Sequence, residues 1–227
     1  MVAFYCLLAV ALVSTSMFLI WRDKNRLGLN ALLKGIASLS FLALGLVDVF
    51  KSGSFTLPAL FILLGLSSSV FGDMFLAGKD FKTKEEDGAL YSGFGFFAVT
   101  QVLYYLALVF MYGFSIWAIA IGVFLTLAVL FSEKLLKLNF GKFRIVVALY
   151  SLLLMTVFGQ AIMSFAMEGY TLAGLLFMVG TGLFALSDLI LSFIYFKADT
   201  KDYFVTLNLV AYYLAQIVIA SAVLFLK

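Results

Sequence analysis

Two aspartates stand where carboxyl groups are costly. Asp73 lies in Gly65–Gly78, GLSSSVFGDMFLAG, and Asp188 lies in Gly180–Phe193, GTGLFALSDLILSF. Both stretches are apolar enough to sit in a bilayer. In each, a Gly precedes the Asp by eight residues and a Leu follows it by three. A charged Asp near the middle of a spanning helix costs roughly 2.5–3.5 kcal/mol on insertion scales, so such side chains face a protein interior and serve a function. Two carboxyls sharing a low-dielectric cavity do not both ionise readily. One protonated acid beside one anion is also the division of labour that glycosidases obtain from two carboxyls. Asp73 and Asp188 are therefore expected to be the two halves of one acid/base site.

Other chemistries are largely removed by what the chain lacks. There is no histidine and only one cysteine, Cys6. That excludes Ser-His-Asp and Cys-His catalysis, His-containing zinc sites, all-thiolate metal sites and an internal disulfide. Acid/base work must fall to Asp, Glu, Lys or Tyr, and neither a metal nor an organic cofactor is called for. Lys34 is the one basic residue expected inside a span, so a Lys34 ion pair can account for only one of the two aspartates. The other lacks a buried cationic partner and is expected to be protonated or to face water.

These residues need a membrane scaffold to hold them. Of 227 residues, 65% are hydrophobic and 12% charged, with mean hydropathy +1.16. A soluble domain is about half apolar and about one quarter charged, so the chain is an integral membrane protein with no room for a soluble domain of any size. A net charge of +3, scattered among short loops, offers no nucleic-acid surface. Spans need about 20 mainly apolar residues. Eight fit, at approximately 2–20, 31–50, 57–78, 90–112, 116–132, 145–167, 171–196 and 204–226. The fold class is thus all-α, a single eight-span transmembrane domain covering 1–227. Pro58, the only proline, falls in the first turn of the third span, where its missing N–H costs nothing. The first span has no basic residue ahead of it, so it is expected to stay as a membrane helix and not to be cleaved as a signal peptide.

Twelve of the fifteen Lys and Arg residues fall in the odd-numbered loops. They are Arg22, Lys24 and Arg26; Lys79, Lys82 and Lys84; Lys134, Lys137, Lys142 and Arg144; Lys197 and Lys201. The other side has Lys51 and Lys227. Basic residues stay on the cytoplasmic side, so both termini are expected outside. The expected location is a cell membrane, the inner one of a bacterium. The charged loop Lys79–Asp87 is expected to be solvated.

The chain also reads as an internal repeat. Each Asp-bearing span is followed by a charged loop and a helix with a shared string, VLYYLA at Val102–Ala107 and VAYYLA at Val210–Ala215. Two four-helix halves, about 1–112 and 116–227, would run in parallel around a central cavity, with Asp73 and Asp188 in equivalent places. Several other polar side chains collect in the cytoplasmic half. Lys34 lies early in the second span, Gln101 and Tyr105 share a face of the fourth, and Asn208, Tyr212 and Gln216 climb one face of the eighth. Each has a structural alternative: Lys34 can snorkel to the headgroups, and Gln101, Asn208 and Gln216 can bond helix to helix. Of Ser67, Ser68 and Ser69, only Ser69 shares the face of Asp73. Asp48 and Gln160 lie toward the outer ends and are expected to be interfacial.

GLSSSVFGDMFLAG, GTGLFALSDLILSF and LVAYYLAQIVIASAVLF, together with Lys34, resemble the YhhN-like family, the lysoplasmalogenases. The resemblance covers nearly the whole chain. It implies hydrolysis of the vinyl ether bond of lysoplasmalogens, lysophospholipids held within the membrane, to a fatty aldehyde and a glycerophospho-base. It places Asp73 and Asp188 at the two acidic positions and Lys34, Tyr150, Tyr212 and Gln216 at other characteristic ones. The fourth span departs from the family pattern, because Phe97 and Tyr104 flank Gln101 where a His is usual, and Lys34-Gly35 replaces Lys-Pro. The expected substrate-binding set is Lys34, Gln101, Tyr104, Tyr150, Asn208, Tyr212 and Gln216, with Lys34 available to the lipid phosphate. An intramembrane aspartyl protease would need Gly-x-Gly-Asp, and Val70-Phe71-Gly72-Asp73 does not supply it. A proton-coupled transporter or lipid-binding protein using the same aspartates is the alternative from another class.

Overall fold

A computed structural model describes residues 2–21, 27–53, 55–77, 86–167 and 170–226. Most of the loop expected over Lys79–Asp87, and the basic residues Arg22, Lys24, Arg26, Lys79, Lys82, Lys84 and Lys227, lie outside the described residues. All regular structure among the described residues is helical: α1 (Val2–Trp21), α2 (Leu27–Ser52), α3 (Leu57–Ala77), α4 (Glu86–Tyr112), α5 (Ile116–Leu135), α6 (Arg144–Met167), α7 (Leu172–Phe196) and α8 (Tyr203–Ala222), with short 3-10 turns at Gly141–Phe143 and Val223–Phe225. The eight α-helices run to between 20 and 27 residues, about 30–40 Å at 1.5 Å per residue, enough to cross a bilayer. Each is also apolar enough to do so, which makes the chain a multi-pass integral membrane protein.

Helix ends run past the apolar stretches where polar groups find local partners. The fifth helix ends at Leu135 and not near 132, because Glu133 closes the following loop. Its side chain accepts from the Phe140 amide at 3.3 Å and meets Arg144 Nε at 3.3 Å, while its backbone carbonyl accepts from Leu138 at 2.9 Å. Leu138, Phe140, Val147 and Phe196 bury one another beneath that loop. The α4–α5 connection takes only three residues, because Gly113 adopts φ +81°. Pro58 sits in the first turn of α3, as its missing donor favours.

The helices gather into two compact units. One comprises residues 1–107 with 220–227, the other residues 108–219. In the first, α2 packs against α1, α3 and the 3-10 turn at Val223–Phe225. Gly45 lets Leu66 approach where a Cβ would stand 2.8 Å from its Cδ1, and Ser14 bonds Ser40 across α1 and α2 at 3.1 Å. In the second unit, α6 packs against α5 and α7. The α5–α6 crossing is close enough that a Cβ at Gly122 would meet the Thr156 backbone, and one at Gly159 would meet the Ala118 carbonyl. Small residues at such crossings let backbones approach in a setting where burial alone does not drive helices together.

Gln160 and Asp48, expected at the membrane interface, are instead buried within the protein. Gln160 clamps the α4–α5 connection, accepting from the Ser115 amide at 3.2 Å and donating to the Gly113 carbonyl at 2.9 Å and to Ser164 at 3.2 Å. Three backbone residues in a tight turn leave polar groups that no water-free environment tolerates, and one amide side chain satisfies two of them. Asp48 lies on the inward face of α2 with Phe41 and Leu44, all three fully buried. Its position along the chain suggested depth, but the face it occupies decides its exposure.

Candidate functional site

Asp73 is almost completely buried, at 1% exposure. Its two oxygens are held by α2: Lys34 Nζ lies 3.1 Å from Oδ1, and the Ser38 hydroxyl donates to Oδ2 at 2.6 Å. Lys34 and Ser38 are one turn apart, so one face of α2 presents a cation and a hydroxyl to one carboxylate. An ion pair withdrawn from water survives only where geometry is good and the remaining lone pairs are satisfied. Here Lys34 and Ser38 each engage one of the two carboxylate oxygens. The Lys34 side chain is turned onto this carboxylate rather than extended away from the helix.

The glycines of the opening motif now have a physical reason. A Cβ at Gly65 would lie 2.5 Å from the Tyr104 ring, and one at Gly72 would lie 3.0 Å from the Phe97 ring, so both positions exist to seat aromatic side chains of α4 against α3. The serines between them stitch the same two helices. Ser68 donates to the Phe96 carbonyl at 2.8 Å, and Ser69 shares a hydrogen bond with Thr100 at 3.1 Å. Ser67 does neither, and bonds the Leu63 carbonyl within its own helix at 2.8 Å. These contacts fix α3, the helix that carries Asp73, against α4.

Asp188 has a different environment. It lies on α7, partly buried, and the Tyr150 hydroxyl of α6 donates to its Oδ2 at 2.5 Å. Among the described residues no Lys or Arg forms an ion pair with it. The residue before it is fixed from α8, where Asn208 Nδ2 donates to the Ser187 carbonyl at 2.8 Å and to the Ser187 hydroxyl at 3.0 Å. One turn earlier, the Phe184 ring meets Tyr212 edge-on at 5.6 Å. Gly180 admits α8, since a Cβ there would lie 2.5 Å from Ile219 Cγ1. Each aspartate therefore follows, two turns on, a glycine that lets the helix with the Tyr-Tyr-Leu-Ala string come close.

Among the residues singled out from the sequence, the structure joins Lys34 to Asp73 and Tyr150 to Asp188. Asn208 acts on Ser187 and not on the carboxyl. Tyr104, Tyr212 and Gln216 are buried, with Tyr104 seated on Gly65 and Tyr212 on Phe184. Gln101 is buried on α4, and neither atom of its amide has a hydrogen-bond partner among the described residues. Sequence reasoning missed Ser38. The available signal was a small polar residue one turn from Lys34 on an otherwise apolar face.

The scaffold and its acidic residues thus define a polytopic helical membrane protein in which Asp73 and Asp188 have unlike surroundings, one matched by a cation and one by a phenol. The chain belongs to the YhhN family, whose model matches residues 29–223 and so takes in both aspartates and all their partners described above. None of the curated proteins and none of the solved structures compared with the chain matches it.

Proposed function

We propose that the protein hydrolyses the vinyl ether bond of lysoplasmalogens, with Asp188 as proton donor and Asp73 as the anion. The observation that carries this reading is the inequality of the two carboxyl environments. Asp73 has Lys34 and Ser38 on its two oxygens, whereas Asp188 has one phenol hydroxyl. Vinyl ether hydrolysis requires that inequality, since it begins with protonation of carbon and proceeds through a cation.

In this reaction Asp188 gives its proton to the β-carbon of the alkenyl chain, and the α-carbon becomes an oxocarbenium ion. The Asp73 carboxylate stabilises that cation and accepts a proton as water adds to it, forming a hemiacetal. The proton on Asp73 then passes to the departing glycerol oxygen, and the hemiacetal hydroxyl returns a proton to Asp188. Fatty aldehyde and glycerophospho-base leave, one water is consumed, and both carboxyls are restored. Lys34 serves as the counter-ion that keeps Asp73 charged between turnovers.

The test is aldehyde release from a lysoplasmalogen by the purified protein in detergent. Asp73→Asn and Asp188→Asn are each expected to abolish release while the protein still elutes as a folded species. Full activity in either variant refutes the two-carboxyl mechanism. Uptake of intact substrate by proteoliposomes, with no aldehyde formed, would instead establish the transporter reading.

A further inference from the structure

Gln101 is a polar side chain on α4, beside the Asp73 helix, whose burial no protein partner among the described residues explains. It is 1% exposed, and both Oε1 and Nε2 lack a hydrogen-bond partner among the described residues. A buried amide left unpaired costs on the order of 1–3 kcal/mol by protein mutational data, and apolar leucine or phenylalanine would fill the same space without that cost. The neighbouring polar groups on α4 are already committed. Thr100 bonds Ser69 and the carbonyls of Gly65 and Phe96, at 3.1–3.2 Å. Nothing comparable engages Gln101.

Its height relative to Asp73 follows from the pairing of α3 with α4. Thr100, the residue before Gln101, touches Ser69, and Ser69 is one turn before Asp73 on α3. Because α4 runs antiparallel to α3, as the Gly65–Tyr104 and Gly72–Phe97 contacts show, Gln101 lies five residues, about 7.5 Å along the helix axes, from the level of Asp73 at 1.5 Å per residue. A primary amide carries an acceptor and a donor in one plane. That pair can take one hydrogen from a water molecule and donate to another oxygen, leaving a water lone pair free to react. Buried polar groups without protein partners are the places where ordered water resides.

We infer that Gln101 is the positioning residue for the water that attacks the oxocarbenium ion, with Oε1 accepting one water hydrogen while Asp73 takes the other. The inference rests on the vinyl ether reading above and adds the source of its nucleophile. The step balances: the water oxygen forms the new bond to the α-carbon, and its departing proton goes to Asp73. No oxidant or further reactant enters.

The experiment compares wild type with Gln101→Leu, using a lysoplasmalogen in water containing added methanol. An oxocarbenium ion partitions between the two nucleophiles, giving aldehyde with water and a mixed methyl acetal with methanol. Gln101→Leu is expected to lower kcat by on the order of 10²-fold, as loss of a positioned reactant does, with KM little changed. The acetal-to-aldehyde ratio should rise toward the value for free solvent. Because an apolar side chain of similar size replaces an unpaired amide, the melting temperature should hold or increase. Gln101→His, which keeps a donor and an acceptor, should recover most of the rate and the wild-type ratio.

An active wild type with a fully active Gln101→Leu variant overturns the water assignment alone. So does a slow variant whose acetal ratio is unchanged, or one whose melting temperature falls or that fails to fold, since the amide would then be structural. A wild type that releases no aldehyde overturns the vinyl ether reading, and the water assignment falls with it.

Discussion

Lys34→Met should be among the most damaging single changes to the stability of the unit that holds Asp73. The Lys34 and Asp73 side chains are only 10% and 2% exposed, and their charged atoms are 3.1 Å apart. Removing one member of a buried pair leaves the other charge uncompensated, at a cost of about 3–5 kcal/mol. For a chain of this size that corresponds to a fall in melting temperature of roughly 6–20 °C. The reverse change should be milder. In Asp73→Asn the remaining lysine has a long flexible stem and can carry its ammonium toward the helix end, whereas a lone Asp73 in Lys34→Met has no such reach. The double variant Lys34→Met/Asp73→Asn removes both charges and should regain at least half of the loss. Fluorescence-monitored unfolding of the four proteins in one detergent gives the full cycle. The reasoning fails if Lys34→Met is as stable as wild type, or if the double variant is less stable than Lys34→Met.

Two further outcomes test other parts of the structure. Gly122→Ala places a Cβ about where Thr156 already lies, 2.2 Å from its Oγ1 and 2.8 Å from its Cα, so α5 and α6 must separate; overpacking of this kind should cost about 1–3 kcal/mol, and an unchanged melting temperature would contradict the close crossing. Tyr150→Phe removes the hydroxyl that donates to Asp188 and should reduce kcat by about 10–10²-fold with little change in KM, read from aldehyde release at saturating substrate; an unaltered rate would remove Tyr150 from the mechanism.

The helical scaffold was legible because crossing a bilayer is a local property. Twenty or so apolar residues declare a span whatever their neighbours do, and the eight read this way are the eight helices found. Their ends were less legible, as α5 shows: Glu133 looks like a loop residue by polarity, yet it prolongs the helix by bonding the chain that follows. The two aspartates were legible for a related reason, since a carboxyl in such a helix is costly wherever its partners turn out to be.

Pairing was another matter. Lys34 was recognisable as the one cation within a span, but nothing in the chain says which aspartate it serves. Only the packing of α2 on α3 gives it to Asp73 and adds Ser38 beside it. Likewise Gln160 and Asp48, placed by their depth at the interface, proved to lie on inward faces, and depth along a helix carries no information about its rotation. Gln101 makes the same point from the opposite side, because whether an amide is bonded to a neighbour or left open depends on what the facing helices present. Composition and patterning therefore determined the class of this protein, its eight crossings and the two carboxyls of the Gly-to-Asp motifs, but not the burial of Asp48. Tertiary structure alone decided that one carboxyl is held as an ion pair and the other by a phenol, because the partners lie more than thirty residues away on neighbouring helices whose close packing, at Gly35 and Gly45 between α2 and α3 and at Gly182 between α6 and α7, decides which faces meet.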